Sequence, residues 1–294
     1  MKNGIIILAA GKGTRMNSDI PKVCFELCGK TLIDRVIETS LSINPDLIGV
    51  VVGYKKELVI ESVKKSFPQD NNIYFITQEY QNGTGDAVRC ATETFQNFHG
   101  TVFVLCGDVP LLKKETLLSM LEKHVESAAK CTVLTMVLND PDKYGRIVRS
   151  VSAISDRHRT DGVSPSTVSA ISDRHSTDGV PPSMWRSEIA DTFPHTPKVK
   201  EIVEYKDASE TIRNIKEVNT GIYCFDSETL FRSLNKLDKN NAQGEYYLTD
   251  LIKIISETED GAVESVVLDD VIQATGVNSQ EQLKLLEQII NKTR

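Results

Sequence analysis

The sequence has no long apolar run and no surplus of positive charge. No stretch approaches the roughly 20 consecutive apolar residues that a membrane-spanning helix needs, and the first residues lead into an apolar run at 5–8 without the pattern of a signal peptide. Its 34 lysines and arginines against 41 aspartates and glutamates give a formal net charge of −7, which is unlike a general binder of nucleic acid or membrane surfaces. We therefore expect a cytoplasmic protein whose partners include neither nucleic acid nor a membrane.

The sequence also lacks the cysteine spacing of a metal-binding or redox motif. The six cysteines include no C-x-x-C pair, and Cys24 with Cys28 has no second pair or histidine cluster to complete a zinc site. Several cysteines, such as Cys106 at the end of the run 101–106, lie among apolar residues, where a free thiol behaves as a small hydrophobic group. The pattern predicts reduced, buried thiols.

The chain does contain an alternation of strand-like apolar runs and amphipathic helix-like segments, and its 294 residues can bury a sizeable core. This alternation predicts βαβ units around a largely parallel sheet, in the α/β class. Ligands of such sheets bind beyond the carboxyl ends of the strands, where three polar loops follow, at 8–16, 78–85 and 107–110. The predicted strands are 5–8, 47–52, 72–77, 101–106, 131–138, 217–225 and 262–268, and the predicted helices are 30–42, 57–67, 85–98, 114–128, 227–234, 246–258 and 279–291.

The pattern changes near the middle of the chain. Two short alternating strands are predicted at 145–149 and 199–204, and residues 151–166 between them recur with few changes directly afterwards. The repeated unit has too few apolar residues to form a core, and two copies are too few for a solenoid. We predict one domain over 1–294 with a disordered, low-complexity insertion at 150–197; a regulatory or partner-binding flap is the alternative.

The most specific motif is the loop at residues 8–16, which reads L-A-A-G-K-G-T-R-M. Its glycines let the backbone turn tightly and approach a ligand closely, and Lys12, Arg15 and the later Lys22 add positive charge. A glycine-rich basic loop after a strand is a place to hold phosphates. No G-x-x-x-x-G-K-[ST] string is present, and Met16 stands where a dinucleotide-binding G-x-G-x-x-G has its third glycine. The loop therefore matches neither of these common nucleotide motifs.

Together with motifs further along, this loop resembles the sugar-1-phosphate nucleotidyltransferases, and in particular the uridylyltransferase half of the bifunctional GlmU enzymes. The resemblance covers nearly the whole chain apart from the repeat insertion. The matching blocks are residues 8–16, 21–23, 78, 83–85, 107–111, 144–147, 202–204, 206–208, 217–221, 242–250 and 276–278. The resemblance implies a Rossmann-like (GT-A-like) nucleotidyltransferase fold: a mostly parallel central sheet with helices on both faces, plus a small sugar-binding β subdomain.

The resemblance also implies an activity. In the family, N-acetylglucosamine 1-phosphate attacks the α-phosphorus of UTP, giving pyrophosphate and UDP-N-acetylglucosamine, a peptidoglycan precursor in cell-wall biogenesis. Such a reaction depends on positioning and charge neutralisation and needs no covalent nucleophile. By this resemblance Arg15 and Lys22 are the catalytic cations on the triphosphate, and Asp108 with Asn278 holds Mg²⁺.

The other site residues follow from the same resemblance. Implied nucleotide contacts come from Leu8, Ala10, Gly11, Gly13, Thr14, Gln78, Gly83, Thr84 and Asp108. Implied sugar contacts come from Thr84, Gly145, Glu204, Asn219 and Tyr247. Taken singly, some have plainer interpretations, because Asp108 fits a turn residue and Asn278 fits a helix N-cap. Glu204 and Asn219 alone fit ordinary exposed strand residues.

The sequence departs from the family pattern in several places. Cys106 stands where well-known relatives have a tyrosine, which makes sugar selectivity less secure, and Asp86 replaces a histidine, with little expected consequence. The insertion falls inside the hairpin that carries Gly145 and Glu204, and a solvent-directed hairpin tip tolerates it because loop closure costs little more for long loops. The chain stops before the hexapeptide-repeat acetyltransferase domain of the bifunctional enzymes. We therefore expect no acetyl-CoA site, and a monomer or weak dimer.

Two other functions stay open at this point. One is a nucleotidyltransferase that uses a different sugar 1-phosphate or a different nucleotide. The other is a non-catalytic sensor of nucleotide sugars. The presence of both cations, Arg15 and Lys22, with both implied metal ligands favours an enzyme, because a sensor does not need all four groups.

Overall fold

A mostly parallel β-sheet forms the centre of the protein. A computed structural model describes residues 2–16, 18–150, 197–258 and 263–293. The strands are β1 (Asn3–Ala9), β2 (Glu26–Leu27), β3 (Lys30–Thr31), β4 (Leu47–Val52), β5 (Ile73–Thr77), β6 (Thr101–Cys106), β7 (Cys131–Val137), β8 (Arg146–Arg149), β9 (Val199–Val203), β10 (Glu217–Asp226) and β11 (Val263–Leu268). The large sheet has the order β11-β7-β10-β6-β1-β4-β5, with β8 pairing to β10 and to β9, while β2 and β3 form a separate ribbon.

Apolar runs explain the inner strands. β1, β4 and β6 are buried over almost their whole length because each is a run of isoleucine, valine, leucine or phenylalanine, as strands covered on both faces require. β1 pairs in parallel with β4 and β6, and β4 with β5. β10 is antiparallel to β6 and β7, whereas β11 is parallel to β7. The predicted mostly parallel α/β sheet is confirmed.

Helices cover both faces of the sheet and divide the core in two. They are α1 (Leu32–Leu41), α2 (Lys56–Ser66), α3 (Thr84–Arg89), α4 (Lys114–Glu126), α5 (Glu210–Arg213), α6 (Ser227–Leu234), α7 (Asp250–Thr258) and α8 (Gln280–Thr293). Ile5 and Ile7 of β1 pack with α1, α2 and α4, whereas Ile6 packs with α3, α6 and α7, because successive strand residues point to opposite faces. Within the described ranges, no helix has the length and apolarity that a membrane crossing requires.

Side-chain caps fix where two helices begin. Thr31 Oγ1 accepts a hydrogen bond from the Asp34 N–H at 3.2 Å at the start of α1. Asp226 Oδ1 accepts from the Thr229 N–H at 2.9 Å at the start of α6. Such caps pair N–H groups that the first turn of a helix leaves without a partner. Asp226 is therefore the N-cap residue of α6.

Four helices are shorter than the sequence pattern predicts, and the largest differences are in α3 and α7. α3 ends at Arg89 because the Arg89 carbonyl accepts both the N–H (3.0 Å) and the hydroxyl (2.7 Å) of Thr92, which tightens the chain. α7 begins four residues later than predicted because Tyr246 is bonded elsewhere. The Tyr246 N–H donates to the Asn82 carbonyl and its carbonyl accepts from the Gly85 N–H, both at 2.8 Å. The sequence pattern does not predict the β2–β3 ribbon or α5.

The backbone divides into two compact units, Met1–Val148 with Val199–Arg294 and Arg149–Lys198. Within the second unit, the Ser150 N–H donates to the Lys198 carbonyl at 2.9 Å. The repeat and its predicted disorder lie outside the described residues. The single-domain organisation over 1–294 likewise stays a prediction.

All six cysteines are free, as predicted. Cys131 and Cys224 are buried and the other four are half-buried, so the prediction of buried thiols is correct for only two of them. Burial, with a smaller contribution from Asp34, raises the pKa of Cys24 to about 11. This thiol therefore stays protonated at neutral pH.

The sheet brings the predicted polar loops to one edge. Leu8 near the end of β1 pairs with Cys106 at the end of β6, and the same edge continues through the ends of β4 and β5. Parallel strands present their carboxyl ends together. β10 runs in the opposite direction, so its first residues, from Glu217 onward, reach the same edge. The fold thus places residues from both halves of the chain around one site.

Candidate active site

The loop after β1 turns sharply and is anchored by its last residue. Gly13 has a φ of +63°, a left-handed conformation that favours glycine, and a Cβ there would lie 2.6 Å from Cβ of Lys22. The Gly13 carbonyl accepts from the Met16 N–H at 2.9 Å. Met16 is 1 % exposed and packs against Leu32 and Val277 in a small core cluster. The methionine of the motif therefore holds the loop in place.

Four side chains from three distant segments meet beside this loop. Lys22 Nζ is ion-paired with the carboxylate of Asp108 and donates to Asn278 Oδ1 at 3.0 Å. Arg15 Nη2 donates to the same Asn278 oxygen at 3.2 Å. The side chains of Lys22 and Asp108 are 16 % and 17 % exposed, so solvent screens this pair less than a surface ion pair. We call these four residues the charged cluster; they are the residues predicted to bind phosphate and metal.

The side chain of Asn278 is not a helix cap. Ser279 has that role, because its Oγ accepts from the Gln282 N–H at 3.3 Å at the start of α8. The Gln282 side chain in turn accepts from the Asn278 N–H at 2.7 Å. The N-cap interpretation of Asn278 is therefore wrong. Its amide is left to contact Arg15 and Lys22.

Asp108 and Asn278 offer two hard oxygen atoms to a common cation. Both contact the same ammonium group of Lys22, and the Asp108 carbonyl accepts from the Val277 N–H at 2.9 Å, which ties the two segments together. Mg²⁺ takes few protein ligands and completes its shell with water and phosphate oxygens. No group of three or more His, Cys, Asp or Glu side chains suited to a metal occurs in the described part of the chain. A carboxylate and an amide oxygen therefore fit a magnesium ion shared with phosphates, and they do not form a closed protein cage.

Gln78 lies buried where β5 ends, beside the turn that begins α3. It is 3 % exposed, and its backbone N–H donates to the Val52 carbonyl at 2.8 Å. Its Nε2 donates to the Gly83 carbonyl at 3.2 Å and to Asp86 Oδ2 at 3.0 Å. Ala10 follows β1, which β4 separates from β5. The Ala10 carbonyl accepts a hydrogen bond from the Tyr54 N–H at 3.2 Å. Gln78, Gly83 and Ala10, which are among the predicted nucleotide contacts, thus share the edge formed by β1, β4 and β5.

The segment 83–85 requires glycine because another backbone lies against it. Gly83 has a φ of +111°, and a Cβ there would lie 2.5 Å from the Tyr246 carbonyl oxygen. Thr84 Oγ1 accepts from the Leu248 N–H at 3.1 Å. These contacts bring Tyr247 next to the turn that holds Gln78.

The predicted sugar residues form a second group of contacts. A Cβ on Gly145 would lie 3.5 Å from each carboxylate oxygen of Glu204, and the Asn219 N–H donates to the Gly145 carbonyl at 2.9 Å. Thr249 Oγ1 donates to Glu204 Oε1 at 3.1 Å, and Asn219 Nδ2 donates to the Tyr223 hydroxyl at 2.7 Å. Asn219 is 9 % exposed and Glu204 is half-buried. They are therefore not the ordinary exposed strand residues that each suggests alone.

Two buried polar groups on this side point to a polar ligand. Burial raises the pKa of Glu204, nearby Asp250 and Asp207 raise it further, and the Thr249 hydrogen bond opposes them. The Tyr247 hydroxyl oxygen is buried and accepts or donates no hydrogen bond of ordinary geometry within the described residues. Buried polar atoms are nearly always paired. The Gln243 side chain is a polar neighbour of this hydroxyl, and a ligand hydroxyl or amide can complete its bonding.

Cys106 joins the charged cluster to the sugar side. It lies two residues before Asp108, and its thiol donates to the Gly221 carbonyl at 3.4 Å, at the bulge of β10 between Asn219 and Tyr223. Burial raises the pKa of Cys106 to about 12, with Asp108 adding to the rise and Lys22 opposing it. The Cys106 thiol is thus uncharged, and it lies between the charged cluster and the predicted sugar residues.

Most of the predicted site residues are brought together, in three linked groups. Leu8 contacts the loop of Asp108 through its carbonyl, which accepts from the Gly107 N–H at 3.0 Å. Gly11 is exposed, and Thr14 lies in the short 14–16 turn. Sequence reasoning assigned no role to Asp86, whose contact with Gln78 depends on α3 beginning at Thr84. No local motif signals that contact.

The fold and this arrangement define a class of protein. A parallel α/β sheet with a glycine-rich basic loop and an oxygen-ligand pair at its carboxyl edge is suited to a nucleotide and its metal. In agreement, residues 5–141 match the MobA-like NTP transferase domain. Over these residues the chain is therefore similar to nucleotidyltransferases.

Particular relatives sharpen the resemblance. The chain is 36 % identical to the bifunctional protein GlmU of Clostridium beijerinckii over 285 residues, covering 97 % of this chain and 51 % of the relative. It is also 36 % identical to that of Streptococcus uberis over 292 residues, covering 99 % and 53 %. The chain thus spans about half the length of the curated relatives it matches. The crystal structure of UDP-glucose pyrophosphorylase complexed with UDP-glucose aligns over 100 % of both chains with a TM-score of 0.68 and 16 % identity, which shows the shared fold.

Proposed function

We propose that this chain transfers a uridylyl group from UTP to N-acetylglucosamine 1-phosphate, releasing pyrophosphate, with the help of Mg²⁺. The observation that carries the proposal is the charged cluster, in which two cations and two oxygen ligands from three segments meet. Cys106 joins the cluster to the polar side chains of Glu204, Asn219 and Tyr247. The similarity to GlmU proteins supports the choice of base and sugar.

The reaction requires the protein to align the two substrates and to stabilise the charge on their phosphates. A phosphate oxygen of the sugar phosphate forms a bond to the α-phosphorus of UTP, and the bond from that phosphorus to the bridging oxygen breaks, so pyrophosphate leaves with the electron pair. Arg15 and Lys22 bind the triphosphate and stabilise the charge that develops on its oxygens. Asp108 and Asn278 would hold the metal, which would supply further neutralisation of phosphate charge.

Lys22 has two sets of partners in this scheme. Without substrate its ammonium group bonds to Asp108 and Asn278. Triphosphate oxygens are alternative acceptors for the same ammonium, and charge-assisted bonds of this kind are among the strong ones. The residue is thus held close to where it is needed before the nucleotide arrives.

The residues outside the charged cluster give the site its selectivity. Gln78 with the backbones of Ala10 and Gly83 reads the base, because an amide and backbone groups match the donors and acceptors of a pyrimidine edge. Glu204, Asn219 and Tyr247 bind sugar hydroxyls and the N-acetyl group. Thr84 contributes from the turn between the base and the sugar.

A different sugar 1-phosphate is the second candidate, and Cys106 favours it. A small thiol occupies the wall where the family resemblance places a tyrosine, so the pocket has lost a hydroxyl that could discriminate among sugars. The expectations of no acetyl-CoA site, of a monomer or weak dimer and of a cytoplasmic location remain predictions. So does a place in cell-wall precursor synthesis.

Pyrophosphate release from a matrix of substrates tests the proposal. UTP, CTP, ATP and dTTP are each paired with the 1-phosphates of N-acetylglucosamine, glucose and N-acetylgalactosamine, with Mg²⁺ or with EDTA. The fastest release is expected from UTP with N-acetylglucosamine 1-phosphate, and none with EDTA. Faster release from another pair would contradict the assigned substrates, and release in EDTA would contradict the metal requirement.

A further inference from the structure

The hydrogen bonds of Gln78 fix which end of its amide is available to a ligand. Its Nε2 donates to two oxygens, Asp86 Oδ2 at 3.0 Å and the Gly83 carbonyl at 3.2 Å. Both partners only accept hydrogen bonds when the carboxylate is ionised. The reversed amide would place Oε1 against two oxygens and lose both bonds, so the orientation follows from chemistry. Oε1 is thereby the free end of the amide.

We propose that Asp86 is a positioning residue for base selection: it holds the Gln78 amide so that Oε1 alone accepts a hydrogen bond from the nucleobase. The inference rests on the proposed role of Gln78 in base binding. The amide is 3 % exposed and lies at the carboxyl edge of the sheet, so it has few other ways to be satisfied. Asp86 is anchored in the first turn of α3 and supplies the charge that biases the amide.

An acceptor at this place selects a particular class of base. Uracil and thymine carry an N3–H between two carbonyls, and this donor matches Oε1. Cytosine presents an unprotonated N3 at the same position, so two acceptors face each other and the base must shift to offer its amino group. A mismatch of this kind is worth roughly tenfold to hundredfold in discrimination. The substrate class is therefore a nucleoside triphosphate whose base carries an imide N–H.

The test compares binding of UTP and CTP, with Mg²⁺, by isothermal titration calorimetry, and their kcat/KM with the sugar phosphate. In Asp86→Asn, the new side chain can donate as well as accept, so only the Gly83 carbonyl still opposes reversal of the Gln78 amide. We expect UTP affinity to fall by roughly three- to tenfold and CTP affinity to change less than threefold, with the kinetic loss in the KM for UTP and kcat nearly unchanged. Glu93→Gln removes the same charge at an exposed position after α3, and it should leave the UTP-to-CTP ratio unaltered.

A rescue separates positioning from a structural role. Gln78→Glu places two carboxylates together and should weaken UTP binding strongly. In the double variant Gln78→Glu with Asp86→Asn, the introduced amide can donate to the introduced carboxylate, which leaves the other carboxylate oxygen as the acceptor for N3–H. The double variant should therefore bind UTP at least fivefold more tightly than Gln78→Glu alone, while a merely structural Asp86 predicts additive losses. Melting temperatures check that each variant is folded.

The outcomes distinguish this inference from the proposed function. An unchanged UTP-to-CTP ratio in Asp86→Asn, together with absent rescue, would overturn the inference while wild-type uridylyl transfer stands. Selective UTP binding that depends on Asp86, without transfer to any sugar phosphate, would support the inference and overturn the proposed function. A wild-type protein that binds CTP as tightly as UTP would overturn both.

Discussion

The phosphate end and the sugar end of the site are built in different ways. At the phosphate end, short loops leave adjacent parallel strands, and full charges meet around Lys22, Asp108 and Asn278. At the sugar end, Glu204 directly follows β9 and Asn219 lies in β10, and hydrogen bonds to uncharged groups join them to their neighbours. Charged side chains at fixed positions stabilise the reacting phosphates, whereas hydrogen bonds to uncharged groups discriminate between sugars. We therefore expect the first end to control the rate and the second to control the choice of sugar.

The largest effect is expected at Lys22. Lys22→Met removes the ammonium that bonds to Asp108 and Asn278 and that the proposal places on the triphosphate. Loss of one such group costs roughly 10²- to 10³-fold in kcat, measured by pyrophosphate release at saturating substrates. Lys113→Met removes a surface ion pair with Asp270 and serves as the control, with activity within twofold. A Lys22→Met protein within tenfold of wild type would show that the charged cluster is not catalytic.

Two neighbouring residues should separate activity from stability. Asn278→Ala removes an oxygen that contacts Arg15 and Lys22, so kcat/KM should fall by about 10- to 100-fold, with a higher Mg²⁺ concentration needed for half-maximal rate. Ser279→Ala removes the helix cap and should lower the free energy of unfolding by about 1 kcal/mol with little change in activity. Urea unfolding measures the free energy of unfolding, and initial rates measure the activity. The reverse pattern would restore the N-cap interpretation of Asn278.

A smaller and more selective effect is expected at Glu204. Glu204→Gln keeps the size of the side chain but removes the carboxylate beside Gly145 and Thr249. The KM for the sugar phosphate should rise about tenfold, the cost of one hydrogen bond to a charged group, while the KM for UTP stays the same. Glu201→Gln, in β9 just before Glu204 and paired with Lys253, is the control. An equal rise in both KM values would show that the two ends do not act separately.

The smallest effect concerns pH at the sugar end. Burial raises the pKa of the half-buried Asp250 from 3.8 to about 6, with Asp238 and Asp207 adding and Lys253 opposing. The folded state then binds this proton more tightly than the unfolded chain, so the contribution of Asp250 to the free energy of unfolding is largest below about pH 4, falls as pH rises towards 6 and stays lower above it.

Asp250→Asn removes this pH dependence. Calorimetry should show that the variant gains stability over wild type at pH 7 and gains none at pH 4, by less than the pKa shift implies because solvent screens a half-buried group. Glu257→Gln, an exposed residue of the same helix, should show no such difference. A stability gain that is equal at both pH values would contradict the direction of the shift.

The same contrast explains what could be predicted from the sequence. The inner strands were predictable because their apolar runs are continuous, and the basic glycine loop was recognisable because Arg15 and Met16 lie within one short motif. The start of α7 was not predictable from the sequence, because Tyr246 forms hydrogen bonds with residues more than 160 positions away. The cap at Ser279 and the contact of Asp86 with Gln78 depend on where helices begin, which local pattern leaves uncertain by a few residues.

The most direct measurement follows the phosphorus atoms. The protein is incubated with Mg²⁺, N-acetylglucosamine 1-phosphate and UTP labelled with ³²P at either the α or the γ position, and the products are separated. Uridylyl transfer predicts that α label appears in UDP-N-acetylglucosamine and γ label in pyrophosphate. Label from the γ position on the sugar, or α label only in free UMP, would contradict uridylyl transfer at the charged cluster.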